Sequence, residues 1–218
     1  MKTQQLCPLC HSHEIARFFQ DKRREYLRCQ ICKLIFVPIQ FHVTSKAEKA
    51  EYDLHQNSPE DMGYRKFLSR LMEPMNHRVA AGSRGLDFGS GPGPTLNLMF
   101  QEAGHSMEIY DPIYANDKTI LNQPYDFVTA TEVVEHFRKP ASDLDQLWSL
   151  VKPGGILGLM TKLAIDRDAF SRWHYKDDCT HISFYSRDTF TWVANHWKAK
   201  LSLIGNDVIL FSRPKPSA

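Results

Sequence analysis

From Arg84 onward the chain alternates between two hydrophobic periods. GLDF (85–88), HSMEIYD (105–111) and YDFVTA (125–130) are short apolar runs that predict strands. TLNLMFQEAG (95–104) and ASDLDQLWSLV (141–151) read as helices, the first opening at Pro94 or Thr95, where a proline fits. LVKPGGILGLM (150–160) supplies a Pro-Gly-Gly turn and another buried strand, and KLSLIGNDVILFS (200–212) predicts a hairpin around Gly-Asn. Strands alternating with helices predict an α/β fold, a mainly parallel sheet with helices on both faces. Ligands of such a sheet bind at the carboxyl ends of its strands. Upstream, residues 59–82 place Tyr64, Phe67, Leu68, Leu71 and Met75 at helical spacing, with Pro74 expected to kink or break the helix. EIARFFQDKRREYLRC (14–29) alternates enough for two short strands. The expected division is residues 1–40, a helical connector over 41–83, and an α/β domain over 84–213. The tail PKPSA is expected to be disordered.

At 218 residues, 42% hydrophobic and 24% charged, the chain can bury one substantial core and carry a small appendage. No apolar run approaches the roughly 18 residues that cross a bilayer, and the first residues lack a signal peptide's apolar stretch, so the expected compartment is the cytoplasm, without membrane association. The net charge of +2 is uneven: residues 1–40 hold seven Lys/Arg against three acids, leaving the rest acidic.

That basic segment carries Cys7, Cys10, Cys29 and Cys32 as two CxxC pairs separated by 18 residues. Two such knuckles can complete a closed four-sulfur site suited to structural zinc, and the segment resembles a zinc ribbon. A redox CxxC would normally stand alone beside a helix. His11 and His13 flank the first knuckle as bystanders. The basic face is a candidate nucleic-acid or acidic-protein contact, with solvated surface charge as the alternative.

GSGPG (Gly89, Ser90, Gly91, Pro92, Gly93) lies between the first strand of the α/β region and its helix. Glycines there let backbone approach a ligand, and Asp111, 20 residues after Gly91, stands where an acid can take a ribose diol. The nicotinamide fingerprint GxGxxG is not matched, because Pro94 occupies its third glycine.

LDFGSGPG, the acid ending the second strand, YDFVTATEVVEH and LVKPGGIL together resemble the class I S-adenosylmethionine-dependent methyltransferases, over about residues 84–212. The resemblance implies a Rossmann-like sheet of seven strands with a reversed last strand. Gly89, Gly91 and Gly93, with Ser90 in the same loop, would line the methionine moiety and Asp111 would hold the ribose hydroxyls. Asp87 would support the loop or the cofactor's amino group; capping the loop amides is its alternative role. Residues near Glu132 would lie beside the sulfonium methyl.

TEVVEH (131–136) ends the third strand of this region with two carboxylates and an imidazole. One explanation is loop capping by Glu132 and helix-end electrostatics for Glu135 and His136. The other is a cation site: E-x-x-E-H resembles the motif of metal-dependent O-methyltransferases of ubiquinone biosynthesis and of small-RNA 3′ ends. His181, in THISFYSRDTF, stands where the RNA group has a further histidine. Glu132, Glu135, His136 and His181 could hold Mg²⁺ or Mn²⁺, which would lower a hydroxyl's pKa. Without metal, His136 or His181 could act as general base.

The expected substrate loop is 162–185, with Trp173, His174, Tyr175, Asp177, Asp178 and His181; Trp173 and Phe184 are alternatively core. Cys179 is expected to be an inert buried thiol. Tyr64 and Arg65 are candidates to cover the cofactor, with packing the alternative for Tyr64. Two functions follow: a methyltransferase acting on a small polar acceptor or RNA, and a non-catalytic nucleic-acid-binding module on the same fold. The intact glycine loop and Asp111 favour the enzyme, and length and charge favour a small metabolite.

Overall fold

The computed structural model describes residues 5–54 and 56–216. Of the expected disordered tail, Ser217 and Ala218 lie outside the described residues. Strands β1 (Ile15–Gln20), β2 (Glu25–Cys29) and β3 (Ile35–Phe36) come first, then helices α1 (Ser45–Tyr52) and α2 (Met62–Asn76). The α/β region follows as β4 (Arg84–Phe88), α3 (Leu96–Glu102), β5 (Ser106–Tyr110), β6 (Tyr125–Thr131), α4 (Pro140–Ser149) and β7 (Val151–Met160). Last come α5 (Arg167–Ser171), β8 (Ser183–Phe184), α6 (Arg187–Trp197), β9 (Lys200–Ile204) and β10 (Val208–Ser212).

The larger sheet has the order β5-β4-β6-β7-β10-β9. Its first four strands are parallel, and β10 runs antiparallel to both β7 and β9. The architecture is Rossmann-like, but among the described residues the sheet has six strands where the resemblance implied seven. The reason lies between β5 and β6. Asp111 pairs with Ala115 in a tight bridge, and a 3₁₀ turn at Lys118–Asn122, capped by Asp117, uses the remaining length. Too little chain is left for a strand outside β5.

Two further expectations need correction. Pro74 does not break α2: it sits in the last turn, and the helix runs on to Asn76. Helix α6 was not foreseen; Ser186 and Thr189 form a reciprocal cap at its start. Leu68, Leu71 and Met75 of α2 pack on the sheet where β7 carries Gly158, and a Cβ there would lie 2.1 Å from Met75 Sδ.

The N-terminal strands form a second sheet, β1-β2-β3-β8, whose last member comes from the far end of the chain. Ile35 lies opposite Phe184 and Phe36 opposite Ser183. Tyr26, Ile35, Val37, Phe170, Tyr175, Ile182 and Phe184 bury one apolar cluster behind this sheet, and Trp173 packs against it, so both aromatics left open as core serve as core. Cys7 Sγ and Cys32 Sγ are 3.5 Å apart, and Cys10 Sγ and Cys29 Sγ 3.4 Å. Sulfurs around one tetrahedral zinc stand about 3.8 Å apart, from Zn–S bonds of about 2.3 Å, so the four thiols are grouped as a closed site requires. The ligand cluster comprises these four cysteines, without His11 or His13. Among the described residues no helix is long and apolar enough to cross a membrane.

Phe184 is buried in the cluster that the small sheet forms with residues 164–182. Phe184→Ala should lower unfolding free energy by about 3–5 kcal/mol in urea titrations. A loss below about 1 kcal/mol would show that the two-residue β3–β8 pairing, rather than this ring, holds that segment on the small sheet.

Candidate active site

A cavity of about 820 Å³ opens at the carboxyl ends of β4 and β6. Its walls include Tyr52 of α1, Tyr64 of α2, the loop Gly89–Pro92, Asp111, Glu132 and His136, and Tyr175, Asp178 and His181 from the segment before β8. Of the expected cofactor and acceptor residues, Tyr64, Asp87, Gly89, Ser90, Gly91, Asp111, Glu132, His136 and His181 line this volume, while Gly93 and Glu135 do not.

The three glycines have different reasons. At Gly91, φ is +67° and a Cβ would meet nothing within 4 Å, so the backbone is bare toward the cavity. Gly89 leaves no room because a Cβ would lie 2.4 Å from Val133. Gly93 is not on the cavity wall; its missing side chain makes room for the Asn57 carbonyl, 2.1 Å from where a Cβ would stand. Ser90 lines the cavity, and its buried hydroxyl has no partner. Asp111 accepts from the Gly91 amide at 3.0 Å and from those of Ile113 and Tyr114 at 2.8 and 3.0 Å, so its carboxylate shapes the loop and still faces the cavity. Asp87 accepts from the Thr129 hydroxyl at 2.8 Å, and burial, with Asp111 nearby, pushes its pKa up to about 7.

Tyr64 lines the cavity and also packs on the apolar core. Arg65 turns away: it pairs with Glu102 of α3, so it does not cover the cavity.

Beyond β6 the chain bends sharply. Glu132 has φ +52°, uncommon for a residue with a side chain, and a 3₁₀ turn spans Val134–His136. Glu132 stands on the wall; burial pushes its pKa up, and the nearby Lys162 ammonium opposes this. Glu135 is 0% exposed. Tyr175 donates its phenol to Oε1, while Oε2 is buried with no partner. Burial and the neighbouring Glu132 hold the Glu135 carboxyl well above the usual range.

Glu135, His136 and His181 offer ligand atoms that all lie within 4.8 Å of one another; Glu132 is not part of this group. His181 Nδ1 is 2.7 Å from the Tyr175 carbonyl, and His136 Nδ1 is 3.3 Å from that of Thr180. A carbonyl can only accept, so Nδ1 carries the proton in both rings, which leaves Nε2 as the ligand atom of a neutral ring. That is the tautomer a metal-ligating imidazole needs. Burial lowers the His181 pKa, and the Asp178 carboxylate, 3.6 Å from Nε2, opposes this.

The role of Tyr175 was not legible in the sequence, where it was one aromatic among several in a long loop. Cys179 is exposed, contrary to expectation, because its side chain lies on the outer side of that loop. Its pKa is raised by desolvation and by Glu51 and Asp178, which leaves the thiol a poor nucleophile. The basic face of the ribbon is partly consumed internally: Arg24 is buried, Arg17 pairs with Glu25, and Arg23 pairs with Asp177.

Comparison with known proteins gives three results. The family described as "Methyltransferase domain" matches residues 60–197. Ubiquinone biosynthesis O-methyltransferase of Colwellia psychrerythraea is 35% identical over 85 residues, 38% of this chain and 34% of that protein. The protein of the same name from Pseudomonas savastanoi is 38% identical over 86 residues, 39% of this chain and 36% of that protein. The chain thus spans about a third of the length of these curated relatives. Among solved structures, an O-methyltransferase family protein from Burkholderia thailandensis aligns with TM-score 0.54 at 14% identity, covering 82% of this chain and 63% of that one. A candidate S-adenosyl-L-methionine-dependent methyltransferase from Methanococcus maripaludis aligns with TM-score 0.52 at 14% identity, covering 82% and 96%. These structures share the fold.

Asp87 generates a pH test. Its usual carboxyl pKa of 3.8 is raised to about 7, so between about pH 4 and 7 the unfolded chain ionises while the fold keeps the proton, and stability falls across that window. Asp87→Asn keeps the acceptor for Thr129 and removes the titration. In ligand-free protein, the variant should gain on the wild type by up to about 4 kcal/mol between pH 4 and pH 8 in urea unfolding. A difference that does not grow with pH would mean that Asp87 is ionised in the fold.

Proposed function

The chain belongs to the methyltransferase-domain family, and on that premise we propose that it transfers a methyl group from S-adenosylmethionine to a hydroxyl of a small polar acceptor. The observation that carries the hydroxyl is the group of buried Glu135 and His181 with half-buried His136, beside a glycine loop whose backbone is bare at Gly91. Names of the partial relatives, ubiquinone biosynthesis O-methyltransferases, support oxygen as the methylated atom.

The residues present fit the cofactor. Gly91 leaves space for close backbone approach, the Ser90 hydroxyl is buried without a partner, and Asp111 faces the same volume with lone pairs suited to a diol. When bound, S-adenosylmethionine supplies a methyl group on a positively charged sulfur. The Asp111 carboxylate lines the same cavity, and Asp87 and Glu132 add negative charge there when ionised.

The donor set also fits a divalent cation held by Glu135, His136 and His181, with the orphaned Glu135 Oε2 as its oxygen donor. Such an ion would supply a Lewis acid that makes an acceptor hydroxyl more acidic. Tyr175 orients the carboxylate by donating to Oε1, and the Tyr175 and Thr180 carbonyls fix the two imidazoles. Glu132, outside that group and with its pKa raised to about 7 by burial, is assigned to accept the hydroxyl's proton in its ionised form. The ribbon cysteines are assigned a separate structural zinc ion.

S-adenosylhomocysteine at about 100 times its Kd should stabilise the protein by about 2.7 kcal/mol, and Gly91→Val should erase this. No shift in the wild type would refute the cofactor assignment. In the cofactor-loaded protein, Mn²⁺ binding followed by water-proton relaxation should weaken about tenfold or more in Glu135→Ala and His181→Ala, while the S-adenosylhomocysteine shift persists. Binding that survives both substitutions would return the imidazoles to general-base duty without a metal.

Elemental analysis should find one zinc per chain, resistant to the mild chelation that removes Mn²⁺, and Cys32→Ser should lose it. Protein purified without chelator and lacking zinc would overturn that assignment.

A further inference from the structure

Arg24 lies in the turn between β1 and β2, in a segment whose positive charge suggested a solvent-facing surface. It is 6% exposed. Asp21 turns it inward: its Oδ1 accepts from the backbone amides of Arg23 and Arg24 at 2.8 and 2.9 Å, tightening the turn. The guanidinium then crosses to the other end of the chain. Nη2 donates to the carbonyls of Lys176 at 2.5 Å and Asp178 at 2.8 Å, Nη1 donates to that of Cys179 at 3.1 Å, and Nε donates to the Tyr26 hydroxyl at 2.9 Å.

Three carbonyls from a stretch of four residues therefore converge on one planar cation. No strand or helix ladder serves these carbonyls, and buried backbone acceptors without partners are strongly disfavoured. The bend has two sides. Its carbonyls face Arg24, while the side chains of Tyr175, Asp178 and His181 line the cavity. Tyr175 holds Glu135, and the Tyr175 carbonyl holds the His181 ring. Arg24 itself is not on the cavity wall. Its donors fix the backbone from which those side chains project.

We propose that Arg24, supplied by the cysteine ribbon, is a positioning residue for the active site: its guanidinium gathers the carbonyls of residues 176, 178 and 179 and so sets where Tyr175, Asp178 and His181 stand. The ribbon then acts on methyl transfer through this contact. The requirement is for a fork of donors as well as a charge. A lysine ammonium is a compact point charge that cannot reproduce the planar arrangement toward three carbonyls and a phenol. This inference rests on the cavity being the methyl-transfer site only for its functional consequence; the ordering of the bend stands apart from it.

The test uses the full-length zinc-loaded protein with Arg24→Ala and Arg24→Lys. Amide hydrogen exchange should accelerate about tenfold or more across residues 176–183 in both variants, while exchange in β4, β6 and β7 stays unchanged. S-adenosylhomocysteine affinity should stay within about twofold, and Mn²⁺ affinity should fall about tenfold. Millimolar guanidinium ion should restore slow exchange to the alanine variant, which has the space for it, and not to the lysine variant. If alanine prevents folding, the lysine variant carries the same expectation. Wild-type exchange across 176–183, or acceleration spread evenly over the whole chain, would overturn the proposal. Should wild-type protein bind neither S-adenosylhomocysteine nor Mn²⁺, the functional reading fails while exchange still decides the role of Arg24.

Discussion

A carboxyl group with no contact to water governs the centre of this protein. Glu135 has one oxygen satisfied by Tyr175 and one without a partner. An isolated carboxylate in such a place is disfavoured by several kcal/mol, so it must hold a proton or meet a cation. The surroundings hold that choice open. The backbone carbonyl of Glu135 accepts from the Ile182 amide at 2.9 Å, and Val37 donates to the Ile182 carbonyl at 2.9 Å, so the strand end, the bend before β8 and the ribbon are tied in series. Two imidazoles offer ligand atoms within 4.8 Å of that carboxyl, so a proton and a cation are the alternatives there.

Much of this was legible where the signal is local. The cysteine pairs, the glycine loop and the acid after β5 are fixed by short spacings, and short spacing survives folding. Counting apolar runs from Arg84 gives six strands, which agrees with the sheet better than the family expectation of seven, because 14 residues between Tyr110 and Tyr125 are taken up by a bridge and a 3₁₀ turn. What could not be read was pairing across the chain. Arg24 looked like surface charge until three carbonyls some 150 residues away were found on it. Tyr175 looked like any loop aromatic, and Gly93 looked like a cofactor glycine although its close neighbour is the Asn57 backbone.

The glycine loop shows how one motif divides its duties. Gly89 yields space to Val133, Gly93 yields space to the connector, and Gly91 alone of the three leaves its open side to the cavity. Asp111 closes the arrangement by holding the Gly91 amide together with two amides of its own turn. The loop is shaped before any ligand arrives, which reduces the ordering that binding must impose.

The β3–β8 pairing joins residue 36 to residue 183. Contacts so distant in sequence close late, because the entropy of the intervening loop must be overcome before they repay it. A ribosome emits the ribbon first, and its cysteines can gather before β8 exists. The glycine loop and the parallel strands β4 to β7 also precede β8, while β9 and β10 follow it. The bend before β8 therefore waits on the ribbon as well as on the sheet, whereas the glycine loop needs only the neighbouring parallel strands.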